Sequence, residues 1–339
     1  MAESSLPNGD AAVASTGMWR YLSWMPTDTA LTLGEAMTPL VEVDWPGVPL
    51  TLKLEGALPT GSFKDRGSAV MVQWLAAHDV PHVVVDSSGN AGASLAAYCA
   101  KAGVPCHVFS PSAAAKAKLA QIASYGAILH PVEGNRDHVT ATAVAWAEDG
   151  MYASHCWNPL FLAGTETFAF EVWEQYGQDV PDAVVIPVGA GTLLLGAASG
   201  FARLHRAGLI PRVPRIYGVQ SRSCEPLTLA WERGSRQPAT ITLKPTIAEG
   251  ICTSRPPRGA QILEAVESSG GAIVSVDDQA LLAAHKQLAA NGVYAEYTSA
   301  AAVAGVAALS SRDLITRTDR VLVPISATGL KTASTQVPA

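Results

Sequence analysis

The chain has 339 residues, enough for two domains of ordinary size. With 48% hydrophobic and 15% charged residues it has ample material for a large buried core, which excludes wholesale disorder. A net charge of −6, with no basic stripe interleaved with aromatics, argues against nucleic acid as a partner. No apolar run reaches the roughly 18 residues that span a bilayer, so no membrane partner is expected.

Taken from the N-terminus, residues 1–16 are polar and rich in Ala and Ser, and read as a disordered or frayed tail rather than a secretory signal. An extended run then leads into Pro59, Thr60, Gly61, Ser62, Phe63, Lys64, Asp65, Arg66 and Gly67, where a helix opens. From residue 82 short apolar runs alternate with helical stretches: strands at 82–85, 105–109 and 127–131, helices at 91–102, 114–125 and 137–148. A second series gives strands at 183–187 and 215–219 with a helix at 193–207 between them. Helices at 281–291 and 300–310 precede a last strand at 320–324. Strands that are apolar throughout, each followed by a helix, imply parallel sheets covered on both faces. The expected class is α/β: two lobes, each a largely parallel sheet flanked by helices. The stretch 221–257 is irregular and rich in Pro and Arg, either a surface excursion or a lid.

The five cysteines are odd in number, widely spaced and lack a C-x-x-C pair. They imply neither a disulfide framework nor a zinc site, but reduced thiols in a cytoplasmic protein. The eight histidines show no metal-type spacing, so no metal is expected.

Ligands in such sheets bind in loops at the carboxyl ends of strands, and four loops there carry chemistry. The first holds Lys64. A lysine that forms a Schiff base must lose its proton, yet a free lysine has a pKa of about 10.4. Burial and a neighbouring cofactor lower it and make the amine nucleophilic. Read alone, the same lysine serves equally well to cap a helix or pair with a carboxylate. The second loop is Asp86, Ser87, Ser88, Gly89, Asn90, Ala91 and Gly92, where helix N–H groups and two hydroxyls suit an anion, or simply an N-cap. The third is Pro187, Val188, Gly189, Ala190, Gly191 and Thr192, whose small residues let backbone N–H groups close round a phosphate. It lacks the G-x-G-x-x-G of a dinucleotide site, which demotes a nicotinamide dehydrogenase. The fourth is Ile325, Ser326, Ala327, Thr328, Gly329, Leu330 and Lys331.

In this order the four runs resemble pyridoxal 5′-phosphate (PLP) enzymes of fold type II, the tryptophan synthase β-subunit superfamily. Within it the chain is most similar to threonine synthases and their paralogues, over about residues 17–332. Leu33-Gly34-Glu35-Ala36-Met37-Thr38-Pro39-Leu40, Val132-Glu133-Gly134-Asn135 and Thr298-Ser299-Ala300-Ala301 add to the likeness. The resemblance implies that PLP lies in the cleft between the lobes and that Lys64 holds it as a Schiff base and moves protons. It implies Phe63 near the ring and Asn90 on the ring hydroxyl. It assigns the cofactor phosphate to Gly189, Ala190, Gly191, Thr192 and Leu193, and the pyridine nitrogen to Ser326 or Thr328. Ser87, Ser88, Asn90 and Ala91 would bind the substrate carboxylate, with His155 and Glu296 also facing the substrate. It further implies a large PLP-binding domain of residues 17–75 and 165–339, a small mobile domain of 76–164, and a homodimer acting on a small amino acid.

A hydroxyl at the pyridine nitrogen weakens the ring as an electron sink, which favours prompt loss of a leaving group. The expected activity is therefore that of a lyase or synthase working by elimination or elimination–addition, as in conversion of O-phosphohomoserine to threonine and phosphate. Dehydratase-like β-elimination on serine or threonine, β-replacement of cysteine-synthase or cysteate-synthase type, and a non-catalytic PLP-binding subunit are the other readings. Three departures bear on the choice. Phe161 stands where similar threonine synthases carry a phosphate-binding arginine, the 189–192 loop lacks their asparagines, and zinc-ribbon-like cysteines of some paralogues are absent. His155, Arg136, Arg255 and Lys331 are the candidates for replacement charge.

Overall fold

The computed structural model describes residues 17–112, 114 and 116–331. The expected tail at 1–16 lies outside these residues. After a 3₁₀ turn at Gly17–Trp24 come β1 (Leu40–Val43), β2 (Leu50–Lys53), α1 (Lys64–Ala77), β3 (Val83–Val85), α2 (Asn90–Ala102), β4 (Cys106–Pro111), α3 (Lys116–Ser124) and β5 (Ile128–Val132). The chain continues through α4 (Arg136–Trp146), β6 (Met151–Tyr152), α5 (Pro159–Thr165), α6 (Thr167–Gln175), β7 (Ala183–Pro187), α7 (Thr192–Arg206) and β8 (Arg215–Ser221). It closes with α8 (Pro226–Glu232), α9 (Gly259–Ser268), β9 (Ile273–Val276), α10 (Asp278–Ala290), α11 (Tyr297–Ser310) and β10 (Val321–Pro324). No helix among the described residues is long and apolar enough to cross a membrane.

Two compact units divide the described chain. The first takes the residues up to Met37, Leu58–Thr165 and Lys331; the second takes Thr38–Ala57 and Glu166–Leu330. In the first, four parallel strands lie in the order β5-β4-β3-β6. Val83, Val84 and Val85 are all buried, as a strand with helices on both faces requires. Leu95, Tyr98, Val108, Ile122 and Phe161 join Val83 and Val85 in its main core. Burying each such side chain is worth about 1.5–3 kcal/mol. α2 is built from small residues because it lies close to the preceding loop: a side chain at Gly92 would overlap the Ser87 carbonyl.

The second unit has six strands in the order β1-β2-β10-β7-β8-β9, parallel except for the β1–β2 pair at one edge. Beneath β2 is a fully buried ion pair, Lys53 Nζ to Glu171 Oε2 at 3.1 Å. Gln175 Oε1 at 2.7 Å and the Thr38 carbonyl at 3.2 Å accept from the same ammonium, while the Thr38 N–H donates to Glu171 at 3.1 Å. Such full hydrogen bonding is what offsets the cost of dehydrating two charges.

The α/β architecture with two largely parallel sheets is as the apolar runs imply. Every strand expected from residue 82 onward coincides with an observed strand to within two residues at most of its ends. β1, β2, β6 and β9, with α5, α6 and α9, carry no such signal. The 221–257 stretch holds α8 and a 3₁₀ turn at Glu249–Ile251.

Candidate active site

In the first unit Lys64 is the first residue of α1, and its Nζ lies 4.4 Å from the Phe63 ring centroid and 5.7 Å from that of Phe161. Phe161 covers Gly67, where an added Cβ would come within 2.5 Å of its ring carbons. The turn before Lys64 is fixed by Asp65, whose buried carboxylate accepts from Thr60 N (2.7 Å), Thr60 Oγ1 (2.5 Å) and Ser94 Oγ of α2 (2.6 Å). Burial raises the Asp65 pKa and these three donors pull it back. Lys331 donates to the Thr60 carbonyl at 2.6 Å and to Gln121 Oε1 at 2.8 Å, so its ammonium secures this same turn.

β3 ends directly in the second loop. Asp86 accepts from Thr140 Oγ1 (2.5 Å) and Tyr152 Oη (2.9 Å), with Arg136 at 3.5 Å. Ser87 is buried, Gly89 is the N-cap of α2, and Asn90 and Ala91 form its first turn. N–H groups in a first turn have no partner within the helix and carry its partial positive charge. β6 runs parallel beside β3, so His155 leaves the sheet at the same edge as this loop. Its Nδ1 is buried without a hydrogen-bond partner, and its Nε2 is 3.4 Å from Cys156 Sγ. Burial, then the charges of Lys64 and Arg136, push the imidazole well below its ordinary pKa, so it is neutral.

In the second unit β7 and β10 are parallel neighbours, which brings the 189–193 loop and the Ser326 turn to one edge of the sheet. Gly191 takes φ +77° as the N-cap of α7, a left-handed conformation suited to glycine. A Cβ on Gly189 would fall 2.8 Å from Ile251 Cα and 3.0 Å from Thr253 Oγ1. Ser326 is buried, and its Oγ is 3.0 Å from Ser299 Oγ, which also accepts from Ala327 N at 3.2 Å. The Thr328 hydroxyl instead accepts from Leu330 N at 3.3 Å within its own turn. Glu296 donates its N–H to the Ala327 carbonyl at 3.2 Å, and Ala295 bridges to Thr328, so Glu296 stands beside the Ser326 turn.

Lys64, Phe63, Ser87, Ser88, Asn90, Ala91 and His155 thus belong to the first unit, and Gly189 to Leu193, Ser326 and Glu296 to the second. Ser299 and Asp65 are partners that sequence reasoning missed. The signal for Ser299 was present in the Thr298-Ser299-Ala300-Ala301 run, but its hydrogen bond spans 27 positions.

A lysine at a helix start beside an aromatic ring, a glycine loop at a helix N-terminus and a paired buried hydroxyl are the parts a phosphorylated pyridine aldehyde needs. Residues 31–327 match the family described as pyridoxal-phosphate dependent enzyme, and the chain belongs to that family. It is 35% identical to a threonine synthase of Methanocaldococcus jannaschii over 93% of this chain and 80% of that protein. It is 34% identical to a threonine synthase of Mycobacterium tuberculosis over 91% of this chain and 85% of that protein. Among solved structures, a threonine deaminase of T.th. superposes with a TM-score of 0.75 at 25% identity, covering 89% of this chain and 94% of that one. Threonine deaminase isoform 2 of Solanum lycopersicum gives 0.76 at 22% identity, covering 95% and 91%, which shows the shared fold. The protein is a PLP-dependent lyase of fold type II, threonine synthase-like, and the residues present fit that cofactor.

Proposed function

We propose that this enzyme converts O-phosphohomoserine to threonine and phosphate by elimination followed by addition of water. The observation that carries the reading is the 34–35% identity to threonine synthases over more than nine-tenths of the chain. Lys64 would hold the cofactor, take the proton from the substrate Cα and return protons later. Phe63 would lie near the ring and Asn90 would hydrogen-bond its hydroxyl. Gly189, Ala190, Gly191, Thr192 and Leu193 would hold its phosphate, and Ser326, oriented by Ser299, would face the pyridine nitrogen. Bound PLP supplies an electron sink for the pair left when that proton departs. The substrate carboxylate would be received by Ser87, Ser88, Asn90 and the Ala91 N–H at the start of α2. Neutral His155 would offer a hydrogen bond to the substrate side chain without repelling Lys64, and Glu296 would complete the pocket.

A second reading, β-elimination from serine or threonine, is favoured by Phe161, which places an aromatic ring rather than a cation over Gly67 near Lys64. The likeness to the T.th. deaminase points the same way. A phosphate-release and keto-acid assay across O-phosphohomoserine, O-phosphoserine, serine and threonine separates the two. Phosphate with threonine from the first substrate is expected. Keto acid with ammonia from serine or threonine, and no phosphate, would replace the first reading by the second.

We also propose a homodimer in the cytoplasm, in keeping with five free cysteines. Residues 76–164, which contain the whole four-stranded sheet, would form the mobile part of the first unit.

A further inference from the structure

Lys64 opens α1 at a helix start that has no side-chain cap: Phe63 holds the N-cap position in helical geometry, and its side chain makes no capping hydrogen bond. Turn bonds from Asp65 N to the Ser62 carbonyl (3.3 Å) and from Arg66 N to the Phe63 carbonyl (3.1 Å) shape the entry. An uncapped start needs a hold from outside the helix to keep one geometry. Thr60 provides it. Its N–H and its hydroxyl both donate to the carboxylate of Asp65, the residue next to Lys64, at 2.7 Å and 2.5 Å. Ser94 Oγ of α2 donates to the same carboxylate at 2.6 Å.

Thr60 is in turn gripped from its other side. Lys331, the last residue of the 3₁₀ turn Gly329–Lys331, donates to the Thr60 carbonyl at 2.6 Å, and Gln121 Nε2 of α3 donates to the same oxygen at 3.2 Å. Lys331 also donates to Gln121 Oε1 at 2.8 Å, and Gln121 donates to Tyr125 Oη at 3.2 Å, which orients the amide. All of these residues belong to the first unit. Thr60 and Asp65 are buried and Lys331 is half-buried, so water competes weakly for the bonds. Burial raises the Asp65 pKa, and the Ser94 and Thr60 donors and then the Lys331 charge oppose it, favouring the ionised form that accepts all three bonds. The two short bonds of Lys331 commit its ammonium to the Lys64 turn rather than to a substrate phosphate.

We propose that Lys331 is a positioning residue for Lys64: through the Thr60 carbonyl and the Asp65 carboxylate it fixes the first turn of α1, and with it the direction in which the Lys64 amine is presented. Lys331 takes no proton itself. Amine attack and proton transfer both need the reacting atoms aligned, and a displacement of about 1 Å can cost roughly 10²-fold in rate. Without the hold on its carbonyl, Thr60 is free to turn away from Asp65, and the helix start loses its outside support. A cation that binds the substrate changes KM, whereas a residue that aims the amine changes kcat and the rate at which the amine captures the cofactor. The inference rests on the assignment of Lys64 as the amine that holds PLP and moves protons.

The test compares full-length wild type with Lys331→Met, Lys331→Arg, Thr60→Val and the double variant Lys331→Met with Thr60→Val. One readout is free of turnover: each protein is stripped of cofactor, PLP is added, and growth of the Schiff-base absorbance band is timed. Lys331→Met is expected to reach the full band about tenfold more slowly. Kinetics follow on whichever of O-phosphohomoserine, O-phosphoserine, serine and threonine the wild type turns over. There Lys331→Met should lower kcat by about 10–100-fold and change KM by less than about twofold. Lys331→Arg, which keeps a charged donor, should recover most of both losses. Thr60→Val, which removes only the hydroxyl bonded to Asp65, should slow the same two rates, and the double variant should fall short of the summed losses because both act through one turn. Should Lys331→Met not fold, Gln121→Leu serves as the milder variant, with a loss of about threefold in the same direction. Unchanged band formation and kcat in the folded variant overturn the proposal. A rise in KM for O-phosphohomoserine with kcat unchanged overturns it too, making Lys331 a substrate cation. Fully additive losses overturn the route through Thr60. A wild type that forms no Schiff-base band is a different failure: it removes the Lys64 assignment itself, and this proposal with it.

Discussion

The surroundings of Lys64 and the 189–193 loop are built on opposite terms. In the first unit the chemistry is carried by side chains, each held by buried partners: Asp65 by Thr60 and Ser94, Asp86 by Thr140 and Tyr152. In the second it is carried by backbone and by residues too small to intrude, with Ile251 and Thr253 packed against Gly189. The first arrangement fails when a functional group is taken away, the second when an atom is added.

The largest break should come from removing the amine. Lys64→Ala is expected to cost at least ~10³-fold in kcat, toward the upper end of what loss of a proton-transferring side chain produces. The fold should be intact by circular dichroism and the Schiff-base absorbance band gone. Next, Gly189→Ala adds one methyl where Ile251 Cα would be 2.8 Å away. Cofactor affinity, read by titration, should fall by about tenfold or more, equivalent to ~1.4 kcal/mol. In the first unit an added methyl acts on stability instead: Gly67→Ala meets the Phe161 ring and should destabilise by about 1–3 kcal/mol in urea melts. Phe161→Leu in the same chain should recover part of that loss. If Gly67→Ala weakens cofactor binding with no loss of stability, the contrast between the units is wrong.

The smallest effect concerns pH. His107 Nδ1 and His130 Nε2 are 2.9 Å apart, with the Trp146 ring 4.2 Å from that of His107. Burial lowers both imidazoles below their ordinary value of 6.5, and the neighbouring His130 and His82 lower His107 further. The folded state therefore binds protons less readily than the unfolded chain. Stability is complete above that ordinary value and declines as pH falls through 6.5 toward the lowered values. Melting temperature should drop by about 1–3 °C over this window. His107→Gln combined with His130→Gln should flatten the slope.

The same contrast governs what the sequence reveals. Strands such as Val83–Val85 and Ala183–Pro187 are legible because burial on both faces leaves an uninterrupted apolar run. β2 is not, because it ends in Lys53, whose buried charge is satisfied by Glu171 and Gln175 far along the chain. α6 follows α5 after Glu166 alone, with no side-chain cap to mark its start. At the site, Lys64 and the glycine loop stand out by residue type. Ser299 does not, since a serine in an Ala-rich helix gains its role only from Ser326 across the fold. His82, His107 and His130 have no regular spacing; β4, β5 and the residue just before β3 bring them together beside Trp146.

The position of β10 has a consequence for synthesis. It is the last strand among the described residues, yet it is inserted between β2 and β7, pairing Val321 with Leu50 on one side and with Ala183 on the other. Until residue 324 has left the ribosome, β2 and β7 each present an unpaired edge, the kind of surface that recruits other chains. A growing chain therefore passes through a long interval in which its central hydrogen bonds are unmade, and it depends on late closure over a large loop. A stop shortly before Val321 would leave the six-stranded sheet in two pieces.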